Sequence, residues 1–208
     1  NNIHADCNQT GGETMKNKYR YDCSKCPRRC DGVSKGRYNF EEDARLSEFY
    51  ERALIRRIKE EGFFAQKSLK EGYPDIEVYR SENSDIHCYV EVKVQRRTFM
   101  KIRGMLPQSD LIPSDTVALN LSDLVRYFKI AGDEAGVPIY VLWVLLERPC
   151  ILKGKKARCF YQNIQKLKSI YSKYKDKRRF RRKKGRGDVV DGQHKGVVVN
   201  YHFSINEL

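Results

Sequence analysis

The chain has 208 residues, with 41 Lys and Arg against 27 Asp and Glu, a net charge of +14 and seven cysteines. That length suffices for one core of ordinary size plus a small satellite, and the excess of cations points to a polyanionic partner. The longest apolar run, Val137 to Leu146, is too short to cross a bilayer, and an odd cysteine count without a signal peptide argues against a secreted disulfide scaffold and for an intracellular setting, cytoplasm or nucleus.

Residues 1–38 read as a small polar segment with a Cys23-x2-Cys26-x3-Cys30 cluster, Cys7 upstream and His4 nearby. Four soft ligands so spaced suit a tetrahedral zinc site, and Cys7, Cys23, Cys26 and Cys30 are the expected set. Zinc would hold a segment that has too few apolar residues to fold by burial. Because the chain opens on Asn1-Asn2, it is compatible with a domain excised from a longer protein, whose neighbouring domains would be partners.

Residues 39–160 carry the expected core. A helix is predicted over 40–61, with acidic residues in its first turn, an apolar stripe of Leu46, Phe49 or Tyr50, Ala53, Leu54 and Ile58, and Gly62 as its stop. Residues 75–80 and 86–95 alternate as two strands, and the polar stretch Ser81 to Asp85 joins them as a hairpin. On the second strand Tyr89, Glu91, Lys93 and Gln95 share one face, while Val90, Val92 and Val94 share the other. Pro74 suits the mouth of the first strand, so the pairing brings Asp75 near Glu91.

Two facing carboxylates repel unless a cation sits between them, and hard oxygen ligands favour Mg²⁺ or Mn²⁺ over zinc. Such an ion lowers the pKa of a bound water, and Lys93 could stabilise charge growing on a phosphate. Gln95 is positioned by parity to hold substrate or Lys93.

Farther along, residues 104–118 read as a loop near the catalytic edge, 120–135 as a helix, and 137–146 as a strand covered on both faces. Residues 161–208 form a basic extension: a helix over 162–174, then Lys177, Arg178, Arg179, Arg181, Arg182, Lys183 and Lys184, a run too like-charged to fold unaided and suited to phosphate contact. A glycine-rich linker from Gly185 to Gly196 and a last strand, 196–205, at the sheet's edge complete the chain. Cys88, Cys150 and Cys159 read as packing residues, and His87, His194 and His202 carry no catalytic pattern.

Pro74-Asp75 followed, after fifteen intervening residues, by Glu91-Val92-Lys93 resembles the PD-(D/E)XK nuclease superfamily, over roughly residues 40–147. The resemblance implies an α/β, restriction-endonuclease-like core, a central mixed sheet flanked by helices. It implies a Mg²⁺- or Mn²⁺-dependent endonuclease acting on DNA in restriction, repair or recombination, with Asp75 and Glu91 as metal ligands and Lys93 as catalytic cation. It also implies that Glu51 or Glu48 on the preceding helix assists. Because one active site cuts one strand, a homodimer is a geometric expectation for cutting both. Some members carry an iron–sulfur cluster, but they divide their cysteines around the core, whereas these four precede it, which favours zinc. Two other classes remain open on sequence: a zinc-containing nucleic-acid-binding module or inactive subunit with the same fold, and an RNA-processing nuclease.

Overall fold

The computed structural model describes residues 18–26, 40–96, 98–134, 136–181, 189–190, 193–194 and 199–208. Cys7, Cys30, Arg182, Lys183 and Lys184 lie outside the described residues.

The first helix, α1, spans Phe40–Glu60, with Glu41, Glu42 and Asp43 complementing the dipole at its start. Gly62, at φ 89°, supplies the left-handed turn beyond its end. Leu46, Tyr50, Leu54, Ile55 and Ile58 pack on the sheet, and Phe49 is left exposed, so Tyr50 is the aromatic on the buried stripe. Strands β1 (Phe64–Lys67), β2 (Ile76–Tyr79) and β3 (Ile86–Gln95) follow, with the expected hairpin between the last two. Next come the short helix α2 (Ile102–Met105), strand β4 (Thr116–Asn120), helix α3 (Leu121–Asp133), strand β5 (Ile139–Leu145), short helix α4 (Pro149–Leu152) and strand β6 (Arg158–Asn163).

The main sheet has the order β1-β2-β3-β5-β6. Only β3 and β5 run parallel within it, so it is a central mixed sheet flanked by helices, as the resemblance implied. One face, with Ala65, Ile76, Val78, Val92 and Val144, is covered by α1. The other, with Tyr89, Val141 and Trp143, packs against α3 and a later helix, α5 (Ile164–Tyr174). The parity of β3 is as the alternation requires, with Tyr89 in one core and Val92 in the other.

A second sheet departs from the expectation of a loop over 104–118 and an edge strand at the C-terminus. Strand β7 (Arg179–Arg181) and the last strand, β10 (Val199–Ser204), join β4 in the order β4-β10-β7, so β10 is central rather than peripheral. Residues 111–119 are buried despite their turn-forming composition. The reason is Asp115, which accepts hydrogen bonds from Ile112 N, Ser204 Oγ and Asn206 Nδ2, so that its carboxylate is buried with partners. The same region anchors the N-terminal segment: Tyr19 N donates to Asn206 Oδ1, Tyr21 N to Ser114 Oγ, and Arg20 Nη1 lies 3.3 Å from Asp115 Oδ2.

Helix α5 starts at Ile164, not at residue 162, because Asn163 caps it by accepting from Gln165 N at 2.8 Å. A 3-10 turn, Lys175–Arg178, leads into β7, so the basic run is ordered through Arg181 by pairing with β10. Inside the expected linker, β8 (Val189–Val190) pairs with β9 (Gln193–His194).

Candidate active site

In the β2–β3 hairpin Ile76 pairs with Val90, which carries Asp75 beside Glu91 at the mouth of β2. Asp75 Oδ2 accepts a 2.8 Å hydrogen bond from Val92 N, fixing its carboxylate against β3. Glu91 is 2% exposed, with its two oxygens held separately: Lys93 Nζ lies 2.5 Å from Oε1, and Tyr127 donates its hydroxyl to Oε2 at 2.6 Å. Asp123 Oδ2 stands 3.7 Å from the same ammonium. Asp75, Glu91 and Lys93 are thus brought together, as the alternation of β3 requires.

The electrostatics are those of crowded acids. Burial, and then the charge of Glu91, push the Asp75 carboxyl up to about 7. Burial works against the charge of Lys93, but Glu91 and Asp123 outweigh it and hold its pKa above the usual lysine value. Burial and Glu91 raise the Tyr127 hydroxyl as well, so it stays a proton donor to that carboxylate.

Of the two candidate glutamates on α1, Glu48 has a half-exposed side chain, whereas Glu51 is buried and its charge contributes to raising Asp75. Lys67 Nζ, from β1, lies 3.0 Å from Glu51 Oε2. Glu51 is therefore the helix glutamate that borders the site. Gln95 does not join it. Its Nε2 donates at 2.9 Å to Ala118 O, a carbonyl that also accepts from Trp143 Nε1, so Gln95 ties β3 to β4 instead of holding Lys93.

Sequence reasoning missed Tyr127 and Asp123. Both sit on α3, whose buried stripe is Leu124, Tyr127 and Ile130, while Val125 is exposed. The signal was the i, i+4 spacing of Asp123 and Tyr127, which places an acid and a phenol on one helical face.

Among the described residues no three His, Cys, Asp or Glu side chains form a metal-holding group. Two carboxylates are nevertheless a fit for Mg²⁺, which keeps several waters and commonly takes only one or two protein carboxylates plus substrate oxygens. Held side by side in the hairpin, with Asp75 raised first by burial and then by the charge of Glu91, the two carboxylates make an acidic pair that a divalent cation would neutralise. Elsewhere, Cys23 and Cys26 line one small cavity together with Cys150 from α4, a residue expected only to pack.

The basic run divides. Lys177, Arg179 and Arg181 are exposed. Arg178 is 0% exposed, its guanidinium bound by Glu207 and Asp110 and lying 3.5 Å from the centre of the Tyr174 ring. It is a structural clamp and leaves the set of phosphate-contacting residues.

No family model and no curated protein matches the chain. Among solved structures it is similar to Hjc, a Holliday junction resolvase from the archaeal hyperthermophile Archaeoglobus fulgidus, at 17% identity over 58% of this chain and 75% of that chain, with a TM-score of 0.38.

Proposed function

We propose that this protein is a metal-dependent endonuclease that hydrolyses phosphodiester bonds in DNA, of the restriction, repair or recombination kind. The observation that carries the reading is the convergence of Asp75, Glu91 and Lys93 at one end of the central sheet, with Lys93 Nζ 2.5 Å from Glu91 Oε1. Asp75 and Glu91 would hold Mg²⁺ or Mn²⁺. A divalent ion held by these carboxylates would supply Lewis acidity toward a phosphoryl oxygen and lower the pKa of a water.

The chain's own groups do the rest. Tyr127 and Lys93 fix the two oxygens of Glu91 in a single orientation, so the carboxylate needs no rearrangement to take a ligand. Lys93, kept charged by Glu91 and Asp123, would stabilise the negative charge that grows as water oxygen bonds to phosphorus and one P–O ester bond breaks. The departing oxygen takes a proton, and the attacking water loses one. Glu51 adds a third acidic group at the margin and pairs with Lys67, which is half-exposed and can turn to a phosphate.

Exposed Lys177, Arg179 and Arg181, continued by Arg182, Lys183 and Lys184, would grip the backbone without reading sequence. One such site cuts one strand, so cutting both calls for a second copy or a second encounter. Cys23 and Cys26, with Cys7 and Cys30, are the proposed zinc ligands, and the position of the first two on one cavity wall supports a common ligand. Metal analysis tests this: zinc with no iron or sulfide is expected, and iron with sulfide would replace zinc by a cluster. No helix among the described residues is long and apolar enough to cross a membrane, and an intracellular site of action is proposed.

Incubation with supercoiled plasmid tests the activity. Nicking in Mg²⁺ or Mn²⁺ that stops with EDTA is the expected result. Tight, salt-sensitive binding without cleavage in either metal would instead make the chain a binding module.

A further inference from the structure

Leu69 is 95% exposed, although the turn that carries it is firmly built. Ser68 N donates to Asp75 O at 2.9 Å, closing the base of the turn, and Ser68 Oγ donates to Glu77 Oε1 while accepting from Lys70 N. Its far side is tied to α3 and the residue that follows it: Arg126 Nη1 donates to Gly72 O at 3.3 Å, and Tyr73 donates its hydroxyl to Glu134 Oε1 at 2.7 Å. Gly72 permits this approach, since its φ is +80° and an added Cβ would stand 3.2 Å from Arg126 Cδ. Both chain neighbours of Leu69 are therefore fixed while its own side chain packs on nothing.

The turn ends at Asp75. An aliphatic side chain held out in water by a fixed turn whose base is bonded to the Asp75 backbone, with Lys67 and Lys70 close on either side in the chain and Arg126 bonded to the same turn, has the chemistry of a wedge. The cations match the phosphates of a duplex on either side, and the apolar tip matches the face of a base that has no stacking neighbour. Resting on the nuclease reading above, we infer that Leu69 inserts at an unstacked base step next to the cleaved phosphate, so the enzyme selects DNA that is already distorted over fully paired duplex.

The test compares a fully paired duplex with the same duplex carrying one mismatch, each with 2-aminopurine at the central step. Wild type, Leu69→Ser and Leu69→Phe are assayed for Mn²⁺-dependent cleavage and for fluorescence on binding in Ca²⁺. Wild type is expected to favour the mismatched duplex and to brighten the probe. Leu69→Ser should shrink that preference about tenfold and abolish the brightening, as removal of an apolar wedge from a base step would, while Leu69→Phe retains both. Because the Leu69 side chain is almost wholly in solvent, unfolding midpoints of the variants should match wild type. Unchanged preference and fluorescence in Leu69→Ser would overturn the wedge alone. Failure of wild type to cut either duplex would overturn the nuclease reading first, and the wedge with it.

Discussion

Lys93 and Arg178 are both cations set among carboxylates, yet their surroundings assign them different work. Lys93 keeps 29% of its side chain in solvent, and Glu91, Asp123 and Asp75 all act on its charge. Arg178 is wholly enclosed, with both terminal nitrogens bound by Glu207 and Asp110 and its plane on Tyr174. A charge that solvent can reach, set beside crowded acids, suits the proposed catalytic role. A charge whose terminal nitrogens are bound by carboxylates holds the C-terminal segment to the core.

Breaking each cation should separate the two roles. Lys93→Ala is expected to lower single-turnover DNA cleavage about 10²–10³-fold, the usual loss when one preorganised charge is removed from a transition state. Arg178→Ala should instead cost about 3 kcal/mol in urea unfolding, because it strands the partly buried Glu207 carboxylate and empties an enclosed site, while the folded fraction still cleaves. Cleavage abolished in Arg178→Ala at full folding would return that residue to the functional set.

The Asp75 shift gives the next largest effect. Its folded-state pKa of about 7 exceeds the ordinary value of 3.8, so the folded protein holds this proton more tightly than the unfolded chain does. That contribution is fully favourable below about pH 4 and is lost as pH rises through 7. Metal-free Asp75→Asn should therefore be more stable than wild type at pH 8 by about 2 kcal/mol, with the gap closing toward pH 4. Thermal melts across that range measure it, and Mg²⁺ should narrow the gap at pH 8 by stabilising only wild type.

Tyr127→Phe removes the hydroxyl that orients Glu91. It should raise the Mg²⁺ concentration needed for half-maximal cleavage about tenfold, as removal of a partner behind a metal ligand commonly does. The smallest effect belongs to the basic strip. Combined Lys177→Ala, Arg179→Ala and Arg181→Ala should flatten the salt dependence of DNA affinity by about 0.9 in log–log slope for each phosphate no longer neutralised, and a filter-binding salt series reads this directly.

The elements that frame the site were legible because each has a local period. Alternation over residues 86–95 placed Glu91 and Lys93 on one face, the turn at 81–85 set the hairpin, and the apolar run into β5 marked a strand buried on both faces. What escaped depends on partners distant in sequence. Glu207 holds Arg178 from 29 residues away, and Asp115 is satisfied by Ser204 across 89. No local pattern reveals that a basic run contains a buried clamp, or that a proline-rich stretch leads into a second sheet. Gln95 shows the limit of parity: it lies on the Glu91 face as expected, but the face extends beyond the site to β4.

Whether Asp75 and Glu91 form a divalent-metal site can be read from Mn²⁺ binding followed by electron paramagnetic resonance. Wild type is expected to bind Mn²⁺, with binding abolished in Asp75→Asn and in Glu91→Gln but kept in Cys23→Ser. Undiminished Mn²⁺ binding in both acidic variants would rule out a metal site on these carboxylates and leave Asp75, Glu91 and Lys93 as an ion-pair network of the sheet.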